Sequence, residues 1–271
     1  MRILRRILRT PEGILGTFIL CVLVFVAIAA PWIAPYDSRT LNLRERLQPP
    51  SAQHLFGTDA VGRDLLSRVM NGARVSLSAG LTIVAIACVA GSTLGLISGF
   101  FEKATGMLIM RTTDIFVGFP ALVLAIAVVA ALGSGLSHGV IAVSLVWWPG
   151  YARLVHAQVL SLKRETYVEA AHSVGANSLH ILLRHILPNA VGPIIVKFSL
   201  DIGYAILFVA ALGFLGLGAQ PPTPEWGALV AEARSYTLTY PWYPIFPGLA
   251  LFVAVAGFNL LGEAVTEARS R

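Results

Sequence analysis

Six apolar runs, separated by polar segments of unequal length, organise the chain. The first covers residues 13–36 without Asp, Glu, Lys or Arg, behind Arg2, Arg5, Arg6 and Arg9, and ends among Pro31, Trp32 and Pro35. Its apolar core, 14–30, exceeds the roughly 7–15 residues of a signal-peptide core, so an uncleaved span is expected rather than a leader cut after Ala27-Ile28-Ala29. Residues 37–74 turn polar and charged, with Gln48-Pro49-Pro50-Ser51 as a breaker, and read as a folded extramembrane loop. The second run, 75–101, is punctuated by Gly80, Gly91, Gly95 and Gly99, whose missing side chains let a neighbouring helix approach closely.

Between Asp114 and Arg153 no charged residue occurs, a stretch too long for one crossing at about 1.5 Å per residue. The sequence Gly133-Ser134-Gly135-Leu136-Ser137-His138-Gly139 divides it into a third span and a fourth at about 140–160. A polar, mixed-charge segment follows over 161–189, with helical periodicity. The fifth span is expected over 193–218, then the turn Gln220-Pro221-Pro222-Thr223-Pro224, and the sixth has its core at 247–262.

Composition narrows the class. Hydrophobic residues make up 56% of the 271 and charged residues 13%, with mean hydropathy +0.75. This excludes a large soluble catalytic domain. The net charge of +6 comes from Lys and Arg lying between apolar blocks, not in a stripe beside aromatic residues, so it reads as membrane orientation and not as nucleic-acid binding. Six spans put both termini on one side, and the majority of Lys and Arg place that side in the cytoplasm. Arg39, Arg44, Arg46, Arg63, Arg68 and Arg74 oppose that rule, offset in part by Asp37, Glu45, Asp59 and Asp64. Cys21 and Cys88 lie in apolar runs and read as small hydrophobes.

The most informative polar stretch is Glu169-Ala170-Ala171-His172-Ser173-Val174-Gly175, followed by Arg184-His185-Ile186-Leu187-Pro188-Asn189. It reads as two short helices joined near Gly175-Ala176-Asn177, with Ala170, Ala171 and Gly175 removing bulk so that the backbone can press into a groove on another protein. Pro188 is expected to stop the second helix. An amphipathic helix lying on lipid is the other reading of such a segment.

Glu169-Ala170-Ala171, Gly175 four residues on and Leu187-Pro188 beyond resemble the EAA signature of permease subunits of bacterial ABC importers. The chain departs from that pattern at His185, where the signature has Ile. The variant at 184–189, the stretch His54-Leu55-Phe56-Gly57-Thr58-Asp59 through Gly62-Arg63-Asp64 to Arg74, and Phe214-Leu215-Gly216-Leu217-Gly218 with Glu225-Trp226-Gly227 resemble the dipeptide, oligopeptide and nickel branch. The resemblance implies an all-α integral membrane fold of six transmembrane helices. In it a MetI-like permease core (74–271) follows an extra N-terminal helix and extracytoplasmic loop (1–73), and a cytoplasmic coupling loop lies at about 161–189. Glu169, Ala170, Ala171, Gly175, His185, Leu187 and Pro188 would meet the ATPase. The implied partners are a homologous second permease subunit, two cytoplasmic ATPase subunits, an extracytoplasmic substrate-binding protein and membrane lipid, in the inner membrane. No Gly-Lys-Ser/Thr occurs, so no cofactor is expected on this chain, and ATP and Mg belong to the ATPases.

Other charged and aromatic positions remain candidates. Lys197 and Asp201 share a helix face in the fifth span and can pair, either along a water-filled pathway or as a packing lock. Asp114 is expected to pair with Arg111. Pro224, Trp226, Glu232 and Arg234 suit an outer gate or a binding-protein contact, or a lipid-interface helix anchored by Trp226. His172, His180 and His185 are spaced eight and five apart, which does not suit a metal pair on one helix face. HExxH does not occur, and Ser134, Ser137 and His138 lie in no triad context, which disfavours a metalloprotease and an intramembrane hydrolase. A di- or oligopeptide is the expected substrate, with nickel or a nickel chelate as the alternative. A standalone ion-coupled transporter using Asp114 or Asp201, or a membrane assembly protein, are rivals of a different class.

Overall fold

The computed structural model describes residues 6–101 and 103–270, and Arg2 and Arg5 lie outside them. The described residues are helical, with no strand beyond an isolated bridge between Thr58 and Asp64. Helix α1 (Pro11–Ile33) starts at Thr10, whose hydroxyl accepts the Gly13 N–H. It leans on the last helix through two glycines. A Cβ on Gly16 would lie 2.7 Å from the Leu261 nitrogen, and one on Gly257 would lie 2.7 Å from Ile19 Cγ2. Phe18, Phe25, Ile28 and Trp32 stay exposed on its far side, as expected of a helix facing lipid.

The centre of the bundle is the pair α2 (Leu65–Phe100) and α5 (Leu136–Leu162). Gly91, Gly95 and Gly99 recur every four residues on α2, hence on one face. A Cβ on Gly91 would stand 2.2 Å from the Trp148 carbonyl oxygen, one on Gly95 2.6 Å from that of Ala152, and one on Gly99 2.7 Å from Val159 Cβ. The two backbones therefore touch directly, as the glycine spacing predicts. Gly80 faces Ile206 of the fifth-span helix, where a Cβ would stand 2.5 Å away.

The third span differs from expectation. It is a bent pair, α3 (Ala104–Val117) and α4 (Ala121–Leu132), meeting at 92° across Gly118-Phe119-Pro120. Pro120 lacks the N–H that would continue α3, and its ring disfavours helical geometry in Phe119. With 12 residues, α4 alone falls short of the ~20 that cross a bilayer. Among the described residues four helices are long and apolar enough to span, or five if the bent pair counts as one crossing. Helix α5, at 27 residues, has the length but carries Arg153, His138 and His156 among its apolar positions.

Pro188 does not stop its helix, another departure from the sequence reading. After α6 (Thr166–Ser173), α7 (Ser178–Ile181) passes through a π turn at Leu182–Ile186 into α8 (Leu187–Phe214), one unbroken rod from Ser178 to Phe214. The wider π turn accommodates a proline that lacks its donor, and the Asn189 side-chain amide donates to the His185 carbonyl at 2.7 Å. A short helix, α9 (Trp226–Ala233), is wedged among α2, α8 and the last helix, α10 (Trp242–Ser270).

Gly95→Leu should wreck the α2–α5 seam, since four carbons would have to enter space held by the Ala152 carbonyl. The cost is expected at or above the upper end of the about 1–3 kcal/mol typical of overpacking. Loss of the monodisperse peak in detergent chromatography would report it. A Gly95→Leu variant that keeps the wild-type thermal midpoint would contradict the seam.

Candidate functional site

At one end of the bundle, α6 and α7 form an exposed elbow. Helix α6 is anchored by Val168 and Ala171, both buried, while Glu169 and Ala170 face outward. The turn after it is a Schellman motif: Gly175 N–H donates to the His172 carbonyl at 3.0 Å and Ala176 N–H to that of Ala171 at 3.1 Å. Gly175 has φ +81° and nothing within 4 Å of where its Cβ would be. Its role within the chain is thus conformational, and the open space beside it is available to a partner. Asn177 then caps α7, its side-chain oxygen accepting the His180 N–H at 2.7 Å.

The outward face of this elbow is apolar for so polar a segment. Val174 is 83% exposed, Leu179 63% and Leu183 52%. A groove of about 500 Å³ runs along it, lined by Asn177, Leu179, His180, Leu183, Arg184 and Pro188. His185 and Leu187 are half-buried, and the His185 ring lies 5.7 Å from that of His180 and 6.3 Å from that of Tyr167. Among the described residues no group of three or more His, Cys, Asp or Glu could hold a metal. A small-residue elbow with exposed apolar positions is suited to receive a protein surface.

At the opposite end, buried charges knit the first loop to the last third of the chain. Asp59 accepts from Arg63 Nε at 2.5 Å and from Arg68 Nη1 at 2.6 Å. Glu232 of α9 takes Arg68 in a bidentate pair at 2.6 and 3.0 Å and Arg63 Nη2 at 2.9 Å, and Tyr243 donates its hydroxyl to it at 3.2 Å. Two guanidinium and two carboxylate groups cancel. This accounts for Arg63 and Arg68, two of the arginines that oppose the positive-inside rule. Beside this cluster, Asp64 caps α2 through the Ser67 N–H at 2.8 Å and meets His54 Nδ1 at 2.9 Å.

The segment 224–234 is therefore built inward. Trp226 is buried and donates Nε1–H to the Val69 carbonyl at 3.0 Å, so it faces protein and not lipid. Glu232 belongs to the charge cluster, whereas Pro224 lines an outer cleft of about 730 Å³ with Arg39, Asp37 and Arg74, and Arg234 is exposed at the end of α9. Glu225, which sequence reasoning did not single out as a site, is fully buried and caps α9, accepting from Gly227 N–H and Ala228 N–H at 2.9 Å each and from Ser76 at 3.1 Å. Burial pushes its carboxyl above the ordinary range, although these three hydrogen bonds favour the carboxylate. The sequence carries little signal for it, since glutamate is not among the preferred N-cap residues.

Two charge pairs lie nearer the middle. Asp114 pairs not with Arg111 but with Arg153 of α5, at 2.7 Å, because α3 packs on α5 and Arg153 reaches across, whereas Arg111 lies one turn back on the same helix. Lys197 and Asp201 do pair, Nζ to Oδ2 at 3.0 Å.

Among the described residues the chain is an all-helical, apolar bundle with an exposed helix–glycine–helix elbow at one end and a charge-neutral clamp at the other. The chain belongs to the family of binding-protein-dependent transport system inner membrane components, matched over residues 91–270. Residues 1–50 match the N-terminal transmembrane domain of oligopeptide transport permease C. It is 46% identical over 258 residues, 95% of this chain and 87% of the relative, to a probable D,D-dipeptide transport system permease protein of Escherichia coli strain K12. To glutathione transport system permease proteins it is 45% identical in Pectobacterium atrosepticum and 47% in Escherichia coli O6:K15:H31, each over 265 residues, 97% of this chain and 88% of the relative.

Glu232→Ala should leave two buried guanidinium groups facing Asp59 alone, at a cost of about 3–5 kcal/mol. The measurement is thermal unfolding in detergent, and a midpoint within error of wild type would refute the clamp. For Glu225, the folded form holds its proton more tightly than the unfolded form. Its contribution to stability is therefore full below its ordinary value of 4.5 and declines as the pH rises through the higher folded value. Glu225→Gln should remove that dependence, so the wild-type and variant stability curves should diverge across that window, and parallel curves would count against it.

Proposed function

We propose that this chain is one of two permease subunits of an ATP-driven importer for di- and oligopeptides, with both termini in the cytoplasm. The observation that carries the mechanism is the unbroken rod from Ser178 to Phe214, whose elbow end is exposed and whose other end abuts α9. Glu169, Ala170, Ala171 and Gly175 would seat against a cytoplasmic ATPase, with Leu179 and Leu183 filling the shared groove. ATP and Mg would act on the ATPase subunits, whose closure moves the elbow. The continuous helix would carry that displacement toward the other side of the membrane. A helix that moves as one piece changes access at both ends at once, which is what alternating access needs.

On the far side the displacement reaches Gly213, against which Glu225 is packed so closely that a Cβ there would stand 2.4 Å from its Oε2. Helix α9 and the Glu232 clamp would then pass it to the first loop, where a substrate-loaded binding protein docks. The relatives named for D,D-dipeptide and glutathione transport support a peptide as the cargo.

Replacing Glu169 and Gly175 together by Arg should release the ATPase subunits from the complex purified in mild detergent. Retention of the ATPases by that double variant would sink the elbow assignment. In a deletion strain, complementation should restore uptake of labelled alanyl-alanine or glutathione; restoration of nickel uptake alone would reassign the cargo.

A further inference from the structure

Midway along α8, roughly 20 Å from either end, the Lys197–Asp201 pair stands beside a cleft of about 640 Å³. Lys197, Asp201, Tyr204, Leu154, Leu200 and Thr266 are among its walls. Two charges on an apolar helix are strongly disfavoured against hydrocarbon, so the cleft is expected to be covered by water or protein in the assembled transporter.

The pair leaves one carboxylate oxygen without a hydrogen bond. Lys197 Nζ donates to Asp201 Oδ1 at 3.2 Å, whereas Oδ2, 3.0 Å from the same ammonium, is buried and out of line for one. The buried hydroxyl of Tyr151, close to Asp201, also lacks a partner of good geometry. Lys197 is the more exposed member, 29% against 10% for the two side chains, and its ammonium also sits 5.0 Å from the centre of the Tyr151 ring. The ammonium thus rests against an aromatic face while paired, a contact that remains available when its carboxylate is taken by another cation. A pair serving only to lock helices would be expected to satisfy its oxygens and bury both partners.

We propose that Lys197 and Asp201 are a binding station for the two charged ends of a zwitterionic peptide in transit. This rests on the peptide-importer reading above. Asp201, with the Tyr151 hydroxyl beside it, receives the peptide α-ammonium, and Lys197 turns to the peptide carboxylate. One ion pair opens and two form, so no charge is left alone at low dielectric during the exchange. The scale fits a short peptide: side chains four apart on a helix begin about 5–6 Å apart, and consecutive Cα atoms of a dipeptide are about 3.8 Å apart. A solute with a single charge would strand either Lys197 or Asp201, which gives the station selectivity for zwitterions.

The test uses the complete complex in proteoliposomes, supplied with binding protein saturated with labelled alanyl-alanine. Lys197→Met with Asp201→Leu replaces the pair by apolar side chains of similar size, a change that a purely structural ion pair tolerates. The double variant should copurify with its partners and import at least tenfold more slowly than wild type. Independently, Tyr204→Cys, on the cleft wall and half exposed, should react several-fold more slowly with a water-soluble thiol reagent when alanyl-alanine is being imported. Import by the double variant at the wild-type rate overturns the station while leaving the peptide reading intact. So does unprotected labelling of the thiol in the Tyr204→Cys variant, which decides the matter even if the double variant does not assemble. A wild-type complex that imports no alanyl-alanine overturns the peptide reading and the station together.

Discussion

The contact on which the rest depends is the direct meeting of the α2 and α5 backbones. At Gly91 and Gly95 the space a side-chain carbon would need is filled by carbonyl oxygens of Trp148 and Ala152. In a bilayer there is no water to expel from between helices, so attraction must come from close van der Waals approach, and glycine allows the shortest approach available. This seam holds the two central helices in register. It thereby fixes Asp64 and Arg68 at the head of α2 relative to Arg153 and the elbow at the foot of α5. Gly80 against Ile206 and Gly227 against Ala210 extend the same device to α8 and α9.

A bundle packed this tightly has little room for charge, yet the first loop and α2 bring Asp59, Arg63 and Arg68 inside it. The structure solves this by matching opposite signs: Asp59 and Glu232 face Arg63 and Arg68, and Tyr243 fills a remaining lone pair. Such a cluster is weak evidence for stability as such, because each ion had to be dehydrated. Its value is specificity of placement. It joins the loop, α2, α9 and α10 at a point that no apolar contact would define so narrowly.

Much of this was legible in the chain. The glycine spacing predicted the close helix approach, the elbow at Gly175 follows from a positive-φ residue between two helical periods, and the i, i+4 spacing predicted the Lys197–Asp201 pair. Three features were hidden for physical reasons. Pro188 reads as a stop, but a π turn of five residues lets the helix continue, and nothing local in Leu182–Ile186 announces that geometry. Asp114 has a charged neighbour on its own helix, yet tertiary packing gives it to Arg153. The short helix after the Pro-rich turn has the composition of an interfacial segment. Only its cap on buried Glu225 and the Trp226 bond to Val69 reveal that it is core.

The continuity across Pro188 changes what the elbow can do. A helix that ended there would hang the Gly175 turn on a flexible tether, and force applied to it would be lost in loop bending. Joined instead to α8, the elbow is one end of a continuous lever. Asp201 and Lys197 sit near the lever's middle, and its last turn bears on Glu225 and α9. Gly80 of α2 packs on Ile206, so α8 is also seated against the central pair. The coupling proposed for α6 and α7 needs this continuity, because a push there would reach α9 only along α8.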